Sequence, residues 1–100
     1  MQISLAEDRR LPAPLHWAVR ISREIAEILI LMGADIEARD ANGDTPLIWA
    51  ACKNERALAD LLVSRGANVN AKGSRLGFTP LIWAAKNGNL EIAKLLIAHG

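Results

Sequence analysis

Cysteine occurs once in this 100-residue chain, at Cys52. A lone thiol cannot close an internal disulfide, and a small secreted domain would carry an even set. The expected setting is therefore reducing, intracellular and cytoplasmic. Long apolar runs are missing as well. Runs such as Ile28 to Met32 fall far short of the ~20 residues that span a bilayer, so no membrane role is expected. Met1 to Asp8 lacks the basic-then-apolar order of a signal peptide. Neither sign of charge dominates: 12 Lys and Arg face 11 Asp and Glu, a net charge of +1. The chain as a whole is no obvious polyanion binder. Gly-rich phosphate loops, H-E-x-x-H, G-x-S-x-G and C-x-x-C are all absent. His16, His99 and Cys52 are too few and too scattered for a metal site, which needs three or four convergent ligands. A Cys52–His16 nucleophile pair has no third orienting group in view. The expectation is a non-enzyme without metal or cofactor.

Proline and glycine occur four and seven times, and several of them mark recurring positions. Thr45-Pro46-Leu47-Ile48-Trp49-Ala50-Ala51 returns as Thr79-Pro80-Leu81-Ile82-Trp83-Ala84-Ala85. A degraded copy stands earlier as Ala13-Pro14-Leu15-His16-Trp17-Ala18-Val19. Pro46 follows Pro14 by 32 residues, and Pro80 follows Pro46 by 34. A second block keeps step: Gly33-Ala34-Asp35-Ile36-Glu37-Ala38, then Gly66-Ala67-Asn68-Val69-Asn70-Ala71. A period near 33 is the mark of a stacked repeat.

The pattern T-P-L-x-x-A-A, followed by an amphipathic run ending L-L-x-x-G-A-x-x-N-A, resembles the ankyrin repeat over residues 13–100. The resemblance implies an all-α solenoid of helix-turn-helix units with β-hairpin-like finger loops. It also implies non-catalytic recognition of another protein, without naming that protein. Residues 1–12 read as an N-terminal cap or partial finger, 13–44 as repeat 1 and 45–78 as repeat 2. Residues 79–100 read as repeat 3, ending without a cap.

Within each repeat, local signals set the helices. Inner helices are expected at about 14–20, 46–53 and 80–87, and outer helices at about 23–32, 56–65 and 90–99. Pro14, Pro46 and Pro80 suit a first helical turn, and Thr45 and Thr79 suit the N-cap before it. In the first copy Ala13 lacks the cap hydroxyl, and Leu11 stands where the later turn has Gly43. Ser22 reads as the cap of the first outer helix. Gly33 and Gly66 stand where C-cap glycines belong, and Asn54 stands where repeat 3 has Gly88. Ile25, Ile28, Leu29 and Met32 fall at helical spacing. The finger from Lys72 to Phe78 is one residue longer than that from Arg39 to Asp44, and Gly73 replaces the Asp that the family pattern favours. Trp17, Trp49 and Trp83 share one column, read as core packing between inner helices. Buried indole N–H groups would need acceptors.

The resemblance places finger tips and inner-helix ends on one concave face. Transferred to this sequence, the partner-binding set is Arg39, Asn42, Asp44, Lys53, Lys72, Arg75, Leu76, Phe78, Lys86 and Asn87. With Arg9, Arg10 and Arg20 the face carries eight cations against Asp44, Asp8 and Asp40 being set aside as turn caps. Such a field steers an acidic protein surface. Leu76 and Phe78 are large apolar residues at a finger tip, suited to a hot spot beside Arg75, although Phe78 can also fold back onto the next inner helix. Self-assembly into a homo-oligomer through the uncapped end of repeat 3 is the alternative. A small-anion or nucleic-acid role ranks below both.

Overall fold

The structure, a computed structural model, describes residues 23–73 and 76–100. Expectations resting on residues 1–12, Ala13, Pro14, His16, Trp17, Arg20, Ser22, Ser74 and Arg75 lie outside the described residues. Among those described, five helices follow in order: α1 (Arg23–Leu31), α2 (Pro46–Lys53), α3 (Arg56–Ser64), α4 (Pro80–Asn87) and α5 (Leu90–His99). The fingers are turns closed by backbone hydrogen bonds, with no strand among the described residues.

Local chemistry explains each boundary. Thr45 and Thr79 are extended, and each hydroxyl accepts from the backbone N–H three residues on, of Ile48 and Ile82, at 3.3 Å. Pro46 and Pro80 follow, where the missing N–H costs nothing. All four helix ends that lead on into further chain close in the same way. Past α1, Gly33 N–H donates to the Ile30 carbonyl and Ala34 N–H to that of Leu29; past α3, Gly66 and Ala67 donate to Val63 and Leu62. Past α2, Asn54 and Glu55 donate to Ala51 and Ala50; past α4, Gly88 and Asn89 donate to Ala85 and Ala84. This paired bonding needs a left-handed residue at the exit. Gly33 and Gly66 have φ of +88°, and Asn54, with φ of 58°, does the work that Gly88 does at 71°.

The helices stack as pairs. α2 packs on α3 and α4 on α5 within a unit, while α2 packs on α4 and α3 on α5 between units; α1 packs on α3. Ala50, Ala51 and Ala84 are fully buried, so small side chains set the approach of the inner helices. Leu47, Leu58, Leu62, Ile92 and Leu96 fill the space around them.

Helical spacing does not by itself give the buried side of α1. In α1 the buried residues are Ala26, Leu29 and Ile30, whereas Ile25, Ile28 and Met32 are more than half exposed. The sequence is apolar all round this helix from Ile28 onward, so spacing alone does not phase it. The packing partner α3 decides, and it covers the side carrying Ala26, Leu29 and Ile30.

Candidate functional site

Between the fingers and the inner helices lies a groove of about 500 Å³. Its walls come from both fingers and both described inner helices: Asn42, Asp44, Gly73, Leu76 and Phe78 from the first, and Ile48, Trp49, Cys52, Lys53 and Trp83 from the second. The size lies within the range of small-ligand and peptide-anchor pockets.

The first finger is built around one carboxylate. Asp40 is buried, and its Oδ1 accepts from the N–H groups of Asn42 (2.8 Å) and Asp44 (3.0 Å). Its Oδ2 accepts from Trp49 Nε1 at 2.8 Å, tying the indole to the finger. Gly43, at φ +77°, supplies the turn that brings its own N–H to the Asp40 carbonyl. The second finger begins at Gly73, whose N–H donates to the Phe78 carbonyl, as that of Asp40 donates to Asp44. The extra residue expected in this finger is the difference between those two closures. A Cβ at position 73 would collide with the Asp44 carboxylate, so the glycine makes room for a side chain of the preceding finger.

The tryptophans divide their surface. Trp49 and Trp83 are half-buried, each packing against the core on one side and lining the groove on the other. Phe78 folds back onto Trp83, edge to face, with ring centroids 5.3 Å apart. Lys86 Nζ lies 5.2 Å from the Trp83 ring centroid and 5.9 Å from that of Phe78. Lys53 and Lys86 each occupy the last turn of an inner helix, where the carbonyl ends of the helix favour a cation.

The sequence-derived set is partly gathered here. Asn42, Asp44, Lys53, Leu76 and Phe78 line the groove, with Leu76 62% exposed. Lys86 stands over the aromatic pair. Lys72 is exposed beside the second finger. Arg39 is engaged within the chain. Its guanidinium donates to the carbonyls of Gly43 and Lys72, both at 2.6 Å, and so straps one finger to the next. Asn87 likewise donates to the Cys52 carbonyl at 3.2 Å. Arg75 lies outside the described residues. Trp49, Trp83, Ile48 and Gly73 were not in that set. Helical spacing held a signal for the indoles, because Trp49 is three and four residues from Cys52 and Lys53, and Trp83 from Lys86 and Asn87.

A family model of ankyrin repeats, in three copies, matches residues 15–100. The chain belongs to the ankyrin repeat family. It is 47% identical over 49 residues to an ankyrin repeat protein of monkeypox virus, covering 49% of this chain and 9% of that protein. It is 49% identical over 51 residues to a putative ankyrin repeat protein of Acanthamoeba polyphaga mimivirus, covering 50% and 7%. It is also 38% identical over 55 residues to the ARF GTPase-activating protein Git of Drosophila melanogaster, covering 54% and 8%. The chain thus spans less than a tenth of the length of each of these relatives. Ankyrin repeats are generally non-catalytic modules that bind other proteins. Among the described residues no helix is long and apolar enough to cross a membrane.

Proposed function

We propose that this ankyrin array binds a partner protein through the groove between its fingers and inner helices, as an adaptor or inhibitor. The observation that carries this reading is the aromatic lining of Trp49, Phe78 and Trp83 beside Lys53 and Lys86. Aromatic anchors next to cations are the usual makings of a binding hot spot, and the lysines favour an acidic partner surface. The lone Cys52 supports action in a reducing, cytoplasmic setting. The test is affinity capture from native lysate with wild type beside a folded Lys53→Glu, Phe78→Ala variant. A protein held by wild type and lost by the variant supports the reading; equal capture by both removes the groove from the account.

A second reading rests on exposed apolar residues of repeat 3. Leu81 and Ile82 are 37% and 42% exposed, whereas Leu47 and Ile48, their counterparts one repeat earlier, are 1% exposed. Ile97 is 66% exposed against 8% for Val63. This face has the form that receives a helix pair in the preceding repeat, and it supports self-association by stacking. A strict monomer by light scattering at tens of micromolar excludes it.

A further inference from the structure

Trp49 and Trp83 occupy the same place in successive repeats, yet only one has its donor answered within the described chain. Trp49 Nε1 gives its hydrogen bond to Asp40 Oδ2. The residue equivalent to Asp40 is Gly73, which opens its finger in the same way and has no side chain to offer. Trp83 Nε1 has no acceptor among the described residues, although the ring lines the groove. An indole N–H that is part buried and unanswered is a standing donor for a ligand, because its hydrogen bond costs little to form and has been lost to bulk water only in part.

The charges around it define what the acceptor should be. Lys86 Nζ lies over the same indole at 5.2 Å, and Lys53 lines the neighbouring wall. Asp44 is the groove's own carboxylate, and its Oδ1 is tucked against Gly73, where a Cβ would otherwise stand. A donor that shares its groove with two lysines favours an anion over a neutral carbonyl. Ile48, Leu76 and Phe78 supply apolar surface within the same cavity.

We propose that the groove takes a short peptide segment of the partner in which an Asp or Glu stands beside an apolar residue. The acidic side chain accepts from Trp83 Nε1 and pairs with Lys86, restoring in trans the carboxylate–indole bond that Asp40 makes in cis. The apolar neighbour fills the space along Ile48, Leu76 and Phe78. This rests on the groove being the binding site, as proposed above.

The probe is a displayed library of random nine-residue peptides, selected against the whole chain. The best binder is then synthesised together with a version carrying Asn for Asp, or Gln for Glu. Affinities are measured by titration, and indole N–H signals are followed by NMR, with Trp83 assigned through Trp83→Phe. The expected result is enrichment of acidic–apolar pairs and a loss of about tenfold in affinity for the amide version. The Trp83 N–H signal moves downfield on binding, and Trp83→Phe narrows the gap between the two versions, Lys86 keeping the remainder. The amide comparison uses wild-type protein, so it stands even if that variant folds poorly. Groove-binding peptides with no acidic preference, or with equal affinity for acid and amide, overturn this inference and leave the groove as the site. Selected peptides whose binding is untouched by Phe78→Ala overturn the groove reading itself, and this inference with it.

Discussion

At the scale of single residues, Asp40 ties the first finger to the inner helix behind it. It closes its own finger through two backbone donors and holds the Trp49 indole through a third bond. Replacing it by Ala leaves two backbone N–H groups and an indole without their acceptor. Asp40→Ala is expected to cost about 2–4 kcal/mol of folding stability, and Asp40→Asn less, since the amide oxygen still accepts. Urea unfolding followed by tryptophan fluorescence measures both. A change below about 0.5 kcal/mol for Asp40→Ala would mean that water replaces all three bonds without loss. The turn-capping half of this role was legible, because Asp opening a Gly-containing turn is a local pattern. The indole bond was not, since it depends on how far the finger folds over α2.

At the scale of elements, the inner helices are defined by caps more than by apolar periodicity. Thr45 and Thr79 make the same bond, but Thr45 is 1% exposed and Thr79 lies nearer to solvent. Loss of an N-cap hydroxyl costs roughly 0.5–2 kcal/mol. Thr45→Ala is expected near the upper end, since water cannot reach the freed Ile48 N–H, and Thr79→Ala near the lower. Equal losses in denaturant titration would show that burial adds nothing to the cap. The expected inner helices at 46–53 and 80–87 coincide with α2 and α4, and the expected 90–99 with α5. The other outer helices end at Leu31 and Ser64, one residue before their expected ends. Which side of α1 faces inward depended on α3, and the sequence carried no polar residue from Ile28 to Met32 to mark it.

At the scale of the whole molecule, stability is shared between neighbours in a line. The bonds between repeats run from Arg39 to the Lys72 carbonyl, from Asn68 N–H to Glu37, from Asn87 to the Cys52 carbonyl and from Asn89 to the Ala51 carbonyl. Each spans about one repeat, as a solenoid with nearest-neighbour coupling requires. The Arg56–Glu91 pair, at 3.7 Å and well exposed on both sides, adds little to them. The same position therefore has a different worth in successive repeats. Leu47→Ala is expected to cost about 2–5 kcal/mol, because a filled site becomes a cavity. Leu81→Ala, one repeat later and partly open to solvent, is expected to cost less than half of that. Denaturant midpoints of the two variants decide it; equal costs would mean that a second copy covers Leu81 in solution, a result that light scattering on the same samples would reveal.

The sequence by itself determined the period, the family, the helix positions and the exits at Gly33, Asn54, Gly66 and Gly88. These rest on backbone energetics within a few residues: a hydroxyl before a proline, or a residue that tolerates positive φ. It also marked Gly73 as the odd position of the second finger. Only the tertiary structure decided what that oddity does. It set the Asp44 carboxylate against Gly73, turned Phe78 back onto Trp83, fixed Arg39 as a finger strap, and answered one indole while leaving the other open. These contacts join side chains from different turns and helices. Their existence is a matter of ångströms across the stack, which neither composition nor periodicity encodes.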